Sequence, residues 1–212
     1  HRSDIPRSTH EKSVISLICS RDEVETMIAD VHNERRNRHV TLDRAGKELE
    51  PFDVACAVIL QYFQDQTPVQ TWVDYRAEFN VPSHFGNAQG QIMFDVSPSY
   101  EDAAETIRKR IFTSQCKEFW HWQRMQGTRG DAYGVTLFNL LSHLRLDDIF
   151  FTAGDAPRVG LPRVLWHEQL MSPGYIAVLP HPDGAVHLEA LVPREVAEQF
   201  SRKRNCSVFP IS

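Results

Sequence analysis

"EPFDVACAVILQYF", residues 50–63, decides how the rest of the chain is read. Cys56, Ile59, Leu60 and Phe63 recur at i, i+3, i+4 and i+7, the spacing of one apolar stripe on a helix. Proline suits the first helical position, so the helix starts at Pro51 or at Asp53 and runs to about Gln64. A thiolate is a nucleophile, and the positive end of a helix lowers its pKa. That influence fades within the first turn. With Asp53 as N-cap, Cys56 is the third helical residue and still feels it. With Pro51 as first residue, Cys56 is the sixth and feels little. The stripe itself puts Cys56 on the core face, so the spacing favours an inert buried cysteine.

Outward from this helix, other elements can be placed. "SVISLIC" (13–19) is rich in β-branched residues and reads as a buried strand. Ser20 and Glu23 have capping-box spacing, and Val24, Met27, Ile28 and Val31 predict an amphipathic helix over 21–37. "TPVQTWVDYRAEFN" (67–80) opens on Thr-Pro and carries Val69, Trp72, Val73 and Arg76 at helical spacing, so a helix is expected there. Pro, Gly and Asn mark 81–90 as a loop, and 91–97 is strand-like. "SPSYEDAAETIRKRIF" has early acids and late bases that complement a helix dipole. "GVTLFNLLSHLRLDD" (134–148) sets Leu137, Leu140, Leu141 and Leu144 on one helical face, and a short strand follows at 148–154. "GYIAVLPHPDGAVHLEALVP" (174–193) is two apolar runs about Pro-Asp-Gly, a hairpin pattern. "REVAEQFSRKR" closes with a helix, and "CSVFPI" with a strand.

The expected fold class is α+β, with helices packed on a mainly antiparallel sheet. Residues 1–12 read as a flexible polar arm and 13–212 as one domain, with an insertion at 81–130. The chain has 212 residues, 42% hydrophobic and 24% charged, enough for a sizeable core. Its formal charge is −5, and the basic clusters at 35–38 and 202–204 are short, so no nucleic-acid partner is expected. No run of 18 apolar residues suggests a membrane span. Cys19, Cys56, Cys116 and Cys206 form no CxxC pair, which argues for free thiols and a reducing, cytoplasmic setting. The first residue is His1 rather than Met, so the N-terminus reads as trimmed, which leaves room for a removed signal. No nucleotide-binding glycine motif occurs and no cofactor is expected.

"DVACAVILQYFQDQTPVQTWVDYRAEF" resembles the nucleophile helix and following helix of the papain-like bacteriocin-processing cysteine peptidases. "GVTLFNLLSHLRLDDIFF" is similar to that family's Gly-x-(Ser/Thr)-Leu helix and next strand, and "GYIAVLPHPDGAVHLEAL" to its terminal hairpin. The resemblance covers about half the chain and implies a papain-like fold with a helical insertion. Aligned on "ACAVILQYF", the family's nucleophile falls on Phe52, its histidine on Tyr175 and its acid near Glu189. Glu48 is nearest to its oxyanion-hole glutamine.

A thiol enzyme on such a fold would be rebuilt around Cys56, and it needs a base and an orienting group. His187 and Glu189 stand two apart on one strand and share a face, so they fill those roles. His181, in the hairpin turn, is an alternative base, and Cys116, beside Lys117, an alternative nucleophile. "EFWHWQR" (118–124) places Phe119, Trp120 and Trp122 around a helix, and Trp166 lies before the hairpin. These aromatics suggest a surface for a protein or peptide. His167, Glu168, His181 and His187 match no zinc spacing, so no metal is expected. Two functions follow as expectations. The first is a non-catalytic, papain-like protein- or peptide-binding module. The alternative is a thiol peptidase or acyl-transfer enzyme using Cys56 with His187 and Glu189. Nothing in the sequence specifies an oligomeric state.

Overall fold

The structure is a computed structural model, and it describes residues 11–38, 49–63, 68–76, 78, 80, 89–96, 99–114, 134–141, 151–153, 156–158, 164, 174–181 and 184–211. Strand β1 (Lys12–Cys19) leads into helix α1 (Arg21–Asn37) and helix α2 (Pro51–Leu60). Strands β2 (Pro68–Asp74) and β3 (Gln89–Asp95) precede helix α3 (Tyr100–Thr113). Then come β4 (Val135–Asn139), the short pair β5 (Phe151–Ala153) and β6 (Ala156–Arg158), and β7 (Tyr175–Pro180). The chain ends with β8 (Val186–Pro193), helix α4 (Arg194–Ser201) and β9 (Ser207–Ile211).

Seven strands form one mixed sheet in the order β3-β2-β4-β7-β8-β1-β9. β4 lies parallel to both β2 and β7, and the other neighbours are antiparallel. The class is α+β, as the sequence predicts. Capping at α1 also follows the sequence: Glu23 N–H donates to Ser20 Oγ at 3.2 Å and Ser20 N–H to Glu23 Oε2 at 2.7 Å. The hairpin over 174–193 is β7 and β8, and the last helix and strand are α4 and β9. Residues 1–10 of the expected arm lie outside the described residues, whereas Lys12 is already paired in β1. Within the stretch read as an insertion, β3 extends the sheet beside β2 and α3 packs on α2.

Two expected helices are strands. Residues 68–74 form β2, because Val69, Thr71 and Val73 alternate as well as they spiral, and β-branched side chains with Trp72 fit a pleated surface. Residues 135–139 form β4, held between two parallel neighbours, where pairing on both sides outweighs the leucine spacing. Residues 142–148 of that expected helix lie outside the described residues. Two glycines let this centre close. A Cβ on Gly134 would sit 2.4 Å from the Pro68 carbonyl oxygen, and Gly174 adopts φ +116° while its N–H donates to Leu191 O at 2.7 Å.

The strands alternate cleanly between two faces. Ile15, Leu17, Val69, Leu137, Ile176, Val178, Leu188 and Ala190 point to the helices and join one core with Phe52, Cys56, Ile59 and Phe200. Ser16, Gln70, Trp72, Thr136, Phe138, Tyr175, His187 and Glu189 alternate with them and belong to the opposite face, on which none of the described helices packs.

Candidate functional site

α2 is where the sequence raised a nucleophile. Its N-cap is Glu50 and Pro51 is its first residue, so Cys56 is the sixth. That position lies past the reach of the helix terminus. Cys56 is fully buried, and burial, with Asp53 nearby, pushes its thiol well above the ordinary range. The environment keeps a proton on sulfur, the opposite of what a thiol nucleophile needs.

What α2 does carry near its start is an ion-pair cluster. Arg108, from α3, donates from Nε to Asp53 Oδ2 at 2.7 Å and from Nη2 to Asp53 Oδ1 at 3.2 Å. Its Nη1 donates to Glu50 Oε1 at 2.8 Å. Glu50 N–H also donates to Asp53 Oδ2 at 2.7 Å. Asp53 and Arg108 are buried while Glu50 is partly exposed. Burial is the largest influence on Asp53 and raises its carboxyl to about 6, with Arg108 pulling the other way. The cluster fastens α2 to α3, so its first role is structural.

The second group of polar side chains lies across the sheet. In register, Ser16 faces Glu189 and Ile18 faces His187. His187 Nε2 is 2.9 Å from Ser16 Oγ and 3.6 Å from Glu189 Oε1. Glu189 Oε2 accepts the N–H of Val164 at 2.8 Å, which ties that segment to this face. His187 and Glu189 are each 1% exposed. Both the hydroxyl and the carboxylate stand nearest the same ring nitrogen. In a nucleophile–histidine–acid relay the acid holds the nitrogen opposite the nucleophile, so this arrangement is not that relay.

The expected partners Cys56 and His187 are thereby separated. Cys56 belongs to the helical core that packs on Val186 and Leu188, whereas His187 alternates to the other face. The sheet backbone lies between thiol and imidazole. His187 and Glu189 do come together, as their two-residue spacing predicts, but with Ser16. The sequence reading missed Ser16, which shares a row with Glu189 only through strand pairing between residues far apart in the chain. His181 lies at the hairpin turn, where its N–H donates to Ala185 O at 3.1 Å. Tyr175 begins β7 and stacks on Phe138, with centroids 6.0 Å apart and rings 12° from parallel. Phe52, the other aligned position, is a core side chain. Cys116, Phe119, Trp120, Trp122 and Trp166 lie outside the described residues, as do Glu48, His167 and Glu168. Among the described residues no three His, Cys, Asp or Glu side chains could hold a metal ion together. No helix among them is long and apolar enough to cross a membrane.

Comparison with known proteins places the architecture. No protein-family model matches the chain, and no curated protein matches it by sequence. Solved structures do match by shape. The crystal structure of F. graminearum TRI101 complexed with coenzyme A and deoxynivalenol superposes with TM-score 0.62 at 13% identity, over 95% of this chain and 50% of that one. F. sporotrichioides TRI101 complexed with coenzyme A and T-2 gives TM-score 0.64 at 13% identity, over 94% of this chain and 51% of that one. Vinorine synthase gives 0.50 at 10% identity, over 87% and 45%. The chain spans about half the length of these structures. At such identity the likeness establishes the fold. It overturns the papain-like resemblance, because the neighbours are acyltransferases rather than cysteine peptidases. The expectations of a hydrolase and of a non-catalytic protein-binding module fall with it.

Proposed function

We propose that this chain supplies half of an acyltransferase architecture, which moves an acyl group from a coenzyme A thioester to a hydroxyl acceptor. The observation that carries the reading is the superposition of 95% of the chain on half of a protein solved with coenzyme A and a hydroxylated small molecule. In such a transfer the acceptor oxygen attacks the thioester carbonyl. The C–S bond then breaks, and coenzyme A leaves as a thiol with the acceptor's proton. Cys56 has no part in this, since its buried, protonated sulfur offers no nucleophile.

Ser16, His187 and Glu189 serve this reading as positioning groups. Glu189 holds the backbone N–H of Val164 on this face of the sheet and His187 bridges β1 to β8. The burial of His187 and Glu189 keeps those two from direct contact with a coenzyme A thioester. The test incubates the purified chain, alone and within the full polypeptide that contains it, with acetyl-coenzyme A and a panel of alcohols. Thiol release is followed colorimetrically, ester by mass spectrometry, and coenzyme A binding by calorimetry. Ester formation with matching thiol release is the expected result. Absence of coenzyme A binding and of ester in both preparations sinks the reading.

A further inference from the structure

The sheet face opposite the described helices carries a row of aromatic side chains that the polar cluster at its other end does not use. Thr71 of β2 stands beside Leu137 of β4, so the next residue, Trp72, stands beside Phe138. Thr136 stands beside Tyr175 of β7, and the Phe138 and Tyr175 rings are stacked. Trp72 is 38% exposed, and Phe138 and Tyr175 are half-buried. Adjacent strands lie about 4.8 Å apart, so Trp72 to Tyr175 crosses two spacings, roughly 10 Å. That is the breadth of two or three fused rings.

Polar atoms border the row. Gln70 Nε2 donates to Thr136 Oγ1 on the same face. Charge decides between the two substrates of the proposed reaction. Across β2, β3, β4 and β7 this face carries no Lys or Arg. Its charged side chains are Asp74 and Asp95, at the strand ends, and Arg76, just past β2, is turned onto Asp74. Among the described residues a phosphate-bearing donor would meet carboxylates there and a cation already engaged by one of them, whereas an uncharged flat molecule loses nothing.

We propose that Trp72, Phe138 and Tyr175 form the shelf that binds the acyl acceptor, and that this acceptor is a neutral alcohol with a flat, apolar ring system. The inference rests on the acyl-transfer reading for the word acceptor, and on the row itself for the binding. The test labels the whole chain with 5-fluorotryptophan and assigns the Trp72 fluorine resonance from the Trp72→Phe variant. 2-Naphthalenemethanol and coenzyme A are then titrated separately. The alcohol is expected to shift the Trp72 resonance and coenzyme A to leave it in place. Phe138→Leu, which keeps an apolar side chain on the strand, is expected to weaken the alcohol about fivefold. In turnover, Trp72→Ala raises KM for the alcohol and leaves KM for the acyl donor unchanged. A Trp72 resonance that stays still while the alcohol is turned over overturns the shelf and leaves acyl transfer standing. A shift caused by coenzyme A alone also overturns it. A shift by the alcohol in a protein that neither binds coenzyme A nor forms ester supports the shelf and sinks acyl transfer.

Discussion

Cys56 shows how one helical position separates a nucleophile from a core residue. It is five residues beyond the helix start, on the stripe that faces the sheet, and its thiol is held protonated by burial. Cys19 is buried too, with its thiol pushed up to about 11, while Cys206 is only partly covered. Alkylation of the native protein followed by peptide mapping should therefore mark Cys206 first among these three. Cys19 and Cys56 should react only on unfolding. Cys56→Ser should cost about 1–3 kcal/mol by leaving a hydroxyl in an apolar site, read as a shift in the urea midpoint. Arg108 gives the complementary case. Arg108→Leu strands the Asp53 carboxylate among apolar side chains and should cost about 3–5 kcal/mol. Replacing Asp53 and Arg108 together by Leu should recover most of that loss, because the desolvated charge goes with its partner. A double variant as unstable as Arg108→Leu would show that Arg108 acts through packing instead.

At the level of elements, the α2–α3 junction makes stability depend on pH. Asp53 protonates at about 6 in the folded protein against 3.8 as its ordinary value. Between those values the folded state binds more protons than the unfolded one, so this group's contribution falls as pH rises from about 4 to about 6. Above 6 it is level. One proton sets the slope at no more than about 1.4 kcal/mol per pH unit. Asp53→Asn should flatten this window in a series of thermal melts, and should lower stability above about pH 6, where Arg108 loses an ionised partner. The junction of β2 and β4 is controlled by space rather than charge. Gly134→Ala would press a methyl onto the Pro68 carbonyl and should cost about 1–3 kcal/mol, since backbone cannot step aside as a side chain can. Retention of wild-type melting would mean that β2 and β4 sit further apart than described.

At the scale of the molecule, the four described helices pack on one face of the sheet, and the other face carries the polar cluster and the aromatic row. This division explains why strand alternation in the sequence brings His187 and Glu189 together but does not bring in Ser16. Spacing of two fixes a shared face. Which face it is depends on pairing between β1 and β8, whose partners Ser16 and Glu189 are 173 positions apart. A binding reading based on Trp120 and Trp122 came from sequence clustering. The aromatic row of Trp72, Phe138 and Tyr175 shows no such clustering, because each residue comes from a different strand. Its elements β2 and β4 were also those read as helices.

The sequence by itself determined the local elements whose signals agree. The capping box starts α1, the two apolar runs of 174–193 pair as β7 and β8, and the apolar stripe buries Cys56. Those signals act between neighbours a few residues apart. Tertiary structure alone decided that residues 68–74 and 135–139 are strands, since each carries both periodicities and only pairing selects one. It also placed Cys56 and His187 on opposite sides of a sheet, because a face is a property of the assembled strands and not of any one of them.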